Sequence, residues 1–175
     1  TSVLHFAPEP MFEPLLRARA GSYVTADFMR TKVDRKLNIE ALEVGDASFD
    51  LIIAHQILEH VDHLKALGEC FRVLKPGGRM VVTTPIIEAW AVTYENPALT
   101  TARERMLHYG QKDHLRYFGR DLKDQMRAAG FALHEFVSVE PDVSVYALSR
   151  GETLFELTKP SGAGKRAARA KVGKG

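Results

Sequence analysis

Phe49-Asp50-Leu51-Ile52-Ile53-Ala54-His55 decides the fold class. Its apolar residues run on where a half-buried strand would alternate, the pattern of a strand covered on both faces. Such strands sit in sheets whose parallel neighbours are joined through helices. Outward from this stretch the chain keeps to that rule. Ser2–Phe6 reads as a first strand, broken by Ala7-Pro8-Glu9-Pro10, and a short helix runs to Ala20, closed by Gly21. Tyr23–Phe28 reads as a second strand and Asn38–Leu42 as a short third. Downstream, helical spacing from Asp62 to Leu74 puts Leu64, Leu67, Phe71 and Leu74 on one face. Lys75-Pro76-Gly77-Gly78 stops that helix and turns the chain into a fifth strand, Arg79–Thr84. Residues 86–118 read as irregular or helical, with no strand signal. Gly119–Ala129 reads as a helix closed by Gly130, and Phe131–Val139 and Ser144–Ser149 as a final hairpin turning at Glu140-Pro141-Asp142.

At 175 residues the chain is long enough for one domain with its own core. Its 45% hydrophobic and 26% charged content excludes a wholly disordered chain. One cysteine, Cys70, excludes an internal disulfide and every multi-cysteine zinc motif. No apolar run approaches the ~18 residues of a membrane span, and no signal peptide is visible, so a cytoplasmic protein with no membrane partner is expected. The net charge of +2 divides unevenly. Residues 160–175 hold Lys165, Arg166, Arg169, Lys171 and Lys174 and no acid, leaving 19 bases against 22 acids in residues 1–159. The expected organisation is a domain over 1–159 and a disordered basic tail over 160–175. That tail is the sole feature that would favour nucleic acid, which is not expected as a partner.

In sheets of this kind ligands bind at the carboxyl ends of the strands, where strand order reverses. Phe6, Ala7, Pro8, Glu9, Asp27, Phe28, Asn38, Ile39, His55 and Gln56 fall there and are the candidate cofactor-binding residues. Ala7 and Asp27 lie 20 positions apart, matching the about 20 residues between a cofactor loop and the acid that holds a ribose hydroxyl. The bland alternative for Asp27 is a surface acid at a strand end. The loop itself argues against a pyrophosphate. Pro8 and Pro10 have no N–H to offer, and Glu9 sets a negative charge beside the phosphates. A cofactor with a ribose, no phosphate and a positive centre is tolerated, and S-adenosylmethionine is such a molecule.

Ser48–Val61, with Phe49–His55 followed by Gln56-Ile57-Leu58-Glu59-His60-Val61, resembles the fourth-strand motif of class I S-adenosylmethionine-dependent methyltransferases. Phe71–Arg79 resembles the helix–turn–strand that follows it in that family. Leu4-His5-Phe6-Ala7-Pro8-Glu9 and the downstream Gly110–Arg116 block are similar to a subgroup in which the first motif is not glycine-rich. The usual glycine positions of that motif are here Ala7, Glu9 and Met11. The resemblance covers most of residues 1–150. It implies a Rossmann-like, doubly wound α/β fold, mainly parallel with an antiparallel edge hairpin strand and helices on both faces. It also implies S-adenosylmethionine as cofactor and S-adenosylhomocysteine as product.

Methyl transfer asks a protein to position and desolvate and, for a hydroxyl acceptor, to take up a proton. The candidate bases are His114 and His55, with a lid strut and a helix-capping histidine as their structural alternatives. His60 reads as structural. His60 and His63 are three apart but fit neither helical zinc spacing, so no metal site is expected. Residues 86–118 are the expected substrate lid, with Trp90, Tyr94, Tyr109, His114 and Tyr117 as candidate substrate contacts. The function expected is methyl transfer to a small-molecule acceptor, carbohydrates and cell-envelope precursors being the suggested class. The alternatives are a catalytically silent partner subunit and, more remotely, an NAD(P)-dependent oxidoreductase. The sequence leaves the oligomeric state open.

Overall fold

The computed structural model describes residues 1–162. Seven strands form the main sheet: β1 Ser2–Phe6, β2 Ser22–Asp27, β3 Arg35–Lys36, β4 Phe49–His55, β5 Leu74–Thr83, β8 Ala132–Val137 and β9 Thr153–Thr158. Their spatial order is β3-β2-β1-β4-β5-β9-β8. Neighbours from β3 to β5 are parallel, whereas β9 runs antiparallel to both β5 and β8. β6 Tyr94–Glu95 and β7 Arg116–Tyr117 pair in a separate two-stranded sheet. The mainly parallel sheet with its antiparallel edge is the expected one.

β4 is buried on both faces, as its composition requires. Ile52 and Ala54 face the larger core with Leu4, Phe6, Ala26, Met80 and Val82, and Ile53 joins Val3 and Tyr23 in a smaller cluster on the other face. Helices α2 (His63–Val73) and α4 (Asp121–Ala128) pack on the larger core through Ala66, Leu67, Cys70, Val73, Leu122 and Met126. On the smaller face lies α1 (Glu13–Arg19), which buries no residue completely and contributes half-buried Leu16. Helices therefore flank both faces, but unequally.

Several local expectations are corrected. The third strand is Arg35–Lys36, and Asn38–Ala41 is instead a tight turn. The Asn38 side chain accepts from Glu40 N at 3.0 Å, so the chain curls and buries Leu37, Ile39 and Leu42 rather than extending. α2 starts one residue later than expected, with Asp62 as its cap, and turns His63, Ala66, Cys70 and Val73 inward. Leu64 is consequently exposed. Lys75–Gly78 turns as expected but lies within the bounds of β5, as an irregularity that moves the β4 register from Phe49↔Leu74 to Leu51↔Arg79. The final hairpin is β8 with β9, not with Ser144–Ser149. Val143 and Val145 alternate like a strand, but Asp142–Tyr146 is a short helix, α5, with Val145 and Tyr146 exposed. Thr153–Thr158 instead buries every second residue. Residues 86–118 hold a helix as expected, α3 (Ala102–Tyr109, with a Thr101/Glu104 capping box), and two short strands that were not expected, β6 and β7. All but the first three residues of the 160–175 tail lie outside the described residues.

Gly119 joins this 86–118 segment to the core. A Cβ there would sit 2.6 Å from the Val92 carbonyl carbon and 2.9 Å from Thr93 N, backbone atoms that cannot swing aside. Gly119→Ala is expected to cost about 1–3 kcal/mol by overpacking, lowering the melting temperature by roughly 2–12 °C for a chain of this size. Thermal unfolding followed by circular dichroism checks it, and an unchanged midpoint would show that the Val92–Thr93 backbone yields.

Candidate functional site

Sequential strands step from β1 through β2 to β3 on one side, and then from β4 to β5 on the other. Strand order thus reverses between β1 and β4, whose ends are level: Phe6 pairs with both Ala26 and Ala54. A cleft of about 760 Å³ opens at this reversal, within the range that holds a small molecule. Phe6, Ala7, Asp27, Phe28, Asn38, Ile39 and Gln56 line it. Of the candidate cofactor residues, Pro8, Glu9 and His55 lie off the cleft wall. Ala7 and Gln56 both hold left-handed backbone conformations, φ 46° and 51°, at the strand ends where the chain turns along the cleft. Ala7 stands where the family's first motif has glycine, the residue that would take this conformation without strain.

The Asp27 side chain is 12% exposed. Its Oδ1 accepts from Met29 N and Arg30 N at 2.7 and 2.8 Å, shaping the turn after β2. Its Oδ2 lies 3.5 Å from Arg30 Nε, and Arg30 also reaches toward the Pro8 carbonyl. Glu9 is turned inward. Its carboxylate meets Nε2 of fully buried His5 at 2.9 Å, while His5 Nδ1 meets the Tyr23 hydroxyl at 2.7 Å. Burial pulls the His5 pKa down against the pull of Glu9, and burial raises that of Tyr23 to about 12. Glu9 therefore braces the first loop from behind. His55 is held similarly, its Nδ1 3.2 Å from Thr83 Oγ1.

The far end of the cleft was not anticipated. Ile57, His60 and Val61 line it after β4, joined by Arg105 and Asp113 from the 86–118 segment. His60, read as structural, is thus a wall residue, and Asp113 Oδ2 lies 3.6 Å from its Nδ1. His114 lies behind it, 3% exposed, with its ring edge-on to His60 at a centroid distance of 4.7 Å. Burial, then the nearby His60, lowers the His114 pKa. Glu59 is equally buried, and burial raises its carboxyl pKa although Thr84 Oγ1 donates to it at 2.8 Å. His63 does not join His60: it bonds Gln125 at 2.7 Å on the core side of α2. The remaining candidate substrate residues form an aromatic knot away from the cleft wall. Tyr109 lies 5.6 Å from Tyr94 and 6.2 Å from Tyr117, and Trp90 lies 6.3 Å from both Tyr94 and Tyr117. Fully buried Tyr109 accepts from Asn96 N, which fastens β6 to α3.

The profile of the "Methyltransferase domain" family matches residues 15–82. A 1,6-didemethyltoxoflavin-N1-methyltransferase of Burkholderia thailandensis, solved with bound 1,6-didemethyltoxoflavin and S-adenosylhomocysteine, superposes with a TM-score of 0.61 at 15% identity, over 91% of this chain and 71% of that one. This chain has the class I methyltransferase fold. Two methyltransferases share more of the sequence. One named probable S-adenosylmethionine-dependent methyltransferase, from Mycolicibacterium smegmatis, is 40% identical over 65 residues, 37% of this chain and 25% of its own. The ubiquinone/menaquinone biosynthesis C-methyltransferase of Escherichia coli is 34% identical over 128 residues, 65% of this chain and 50% of its own. The chain therefore spans half or less of the length of these relatives. Among the described residues no helix is long and apolar enough to cross a membrane.

Proposed function

We propose that this methyltransferase-fold chain binds S-adenosylmethionine in the cleft between β1, β2 and β4 and transfers its methyl group to a small-molecule acceptor. One observation carries the reading: the Asp27 carboxylate and the apolar Phe28, Leu37 and Ile39 share one cleft wall at the reversal of strand order. That wall suits an adenosine, with Asp27 accepting from the ribose hydroxyls and the apolar group flanking the base. Where a dinucleotide's phosphates would need a positive helix end, the structure instead offers Pro8, Pro10 and a first helical turn carrying Glu13. The bound cofactor supplies a methyl group already activated by its positive sulfur. The chain's own task is to align the acceptor and exclude water. Ala7 and Gln56 turn the backbone toward the cleft centre, and His60, Asp113 and Arg105 bound the end left for the acceptor. His114 serves that end through His60, since its ring is buried behind it. His55, off the wall, acts as a support for the β4 end. The ubiquinone and toxoflavin methyltransferases act on ring-bearing small molecules by name, which supports that acceptor class. Carbohydrates and cell-envelope precursors belong in the same screen.

Calorimetric titration with S-adenosylhomocysteine and, separately, with NAD tests the reading. Binding of the first and not the second is expected. Binding of NAD alone would make the chain an oxidoreductase, and binding of neither would make it a silent partner subunit.

A further inference from the structure

We propose that Glu59, His60 and His114 form a binding site for a divalent transition-metal ion that opens onto the acceptor end of the cleft. Each of the three offers one ligand atom, and these atoms lie within 4.8 Å of one another. Two of the residues carry a buried polar atom with no partner: Oε1 of Glu59, which is 1% exposed, and Nδ1 of His114, which is 3% exposed. A buried polar atom without a partner keeps the full cost of its desolvation. Both atoms are thus unused by the protein's own hydrogen bonds, in two residues whose ligand atoms lie within coordination reach of each other.

The surroundings hold the three residues for ligation. Thr84 fixes the other Glu59 oxygen at 2.8 Å. The His114 ring bonds the Tyr109 backbone, leaving Nδ1 as the free nitrogen. Orientation of a ligand histidine through its second nitrogen is the usual support of a metal site. Leu115 N donates to the Glu59 carbonyl at 2.9 Å, which locks the two segments together although they are distant in sequence. Asp113, 3.6 Å from His60 Nδ1, stands behind the third ligand. Two imidazoles and one carboxylate suit zinc, cobalt(II) or iron(II), whereas magnesium and calcium prefer oxygen throughout. Ligand bonds of about 2.0–2.1 Å require donors roughly 3.4 Å apart in a tetrahedral site. The site therefore tightens on binding, and His60, whose side chain is 29% exposed, has the freedom to do so. A three-ligand site keeps its fourth position open. Of the three ligands His60 lines the cleft, so the site borders its acceptor end. That an acceptor oxygen or nitrogen takes this position rests on the methyl-transfer reading, whereas the metal site does not.

The test titrates the chelator-stripped full chain with Co²⁺ and reads the visible bands of a low-coordinate ion. One equivalent is expected to bind, to be displaced by Zn²⁺ and to be untouched by Mg²⁺. Glu59→Gln, which preserves shape, and His60→Gln, which alters a half-exposed ring, are each expected to weaken cobalt binding at least ~10-fold. His134→Gln, on the far edge strand, is expected to leave it unchanged. No cobalt bands, or bands unaltered in both site variants, would overturn the proposal and leave a water-filled polar pocket. S-adenosylhomocysteine affinity of the stripped chain is measured alongside. Cofactor binding without a cobalt site defeats the metal site alone, and a cobalt site without cofactor binding defeats the methyl-transfer reading alone.

Discussion

Arg116→Met is expected to lower stability by about 1–3 kcal/mol, the usual cost of leaving buried acceptors without their donor, since the Glu95 carboxylate is open to water. The Arg116 residue is 3% exposed. Its Nε and Nη2 donate to the two Glu95 carboxylate oxygens, both at 2.9 Å, and its Nη1 donates to the carbonyls of Leu58 and Val61. One side chain thus ties β6, β7 and the turn after β4 together. Methionine fills the space but leaves two carbonyls and a carboxylate without their donor. Arg116 also holds the Glu95 carboxyl below the usual carboxylate range, so the pair favours the charged state. For a chain of this size the loss corresponds to a melting temperature lower by roughly 2–12 °C. Thermal unfolding of Arg116→Met beside Arg116→Lys checks the account. Lysine keeps the charge but cannot span four acceptors, so it is expected to fall between. A shift of under about 2 °C for methionine would mean that water replaces the guanidinium at little cost.

Asp27→Asn is expected to weaken S-adenosylhomocysteine binding by roughly 10- to 150-fold, the equivalent of about 1.5–3 kcal/mol for a charge-assisted pair. Asparagine is the informative change because the two Asp27 oxygens have different tasks. Oδ1 shapes the turn through Met29 N and Arg30 N, and the amide oxygen can continue that work. The second oxygen becomes a donor and can no longer accept from a ribose hydroxyl. Calorimetry should therefore register the loss while the melting temperature stays close to that of the unsubstituted chain. Unchanged affinity with an intact fold would remove Asp27 from the cofactor wall.

The order of the parallel strands was legible because it rests on burial, which composition records directly. Phe49–His55 matches β4 residue for residue, and Ser2–Phe6 matches β1. The two misplaced strands share a cause: apolar residues at Asn38–Leu42 and Ser144–Ser149 mark something other than a strand. Leu37, Ile39 and Leu42 are buried by a turn that the Asn38 side chain closes, and Val145 and Tyr146 are exposed on a helix. Local pattern reports which residues are apolar, not which partner covers them. The cleft wall at the ends of β1, β2 and β4 was likewise readable from the sequence. The other side was not, because the segments of Glu59 and His114 meet through tertiary contacts such as the bond from Leu115 N to the Glu59 carbonyl, which no local pattern records. The aromatic residues of the 86–118 segment drew attention by their type. The structure spends them on one another, and brings the less conspicuous Arg105 and Asp113 to the cleft.

The last strand of the main sheet is not at its edge. β9 lies between β5 and β8, and β8 reaches the rest of the sheet through β9 alone. During synthesis, β1 through β5 can pair as they emerge, but β5 must wait with one side open until Thr158 has cleared the ribosome. β8, made earlier, has no strand to join before then. An open strand carrying Met80, Val81 and Val82 is a template for pairing with another chain. A nascent chain stalled before Thr153 therefore lacks two strands of its sheet rather than one, and exposes an aggregation-prone edge in the middle of its own fold.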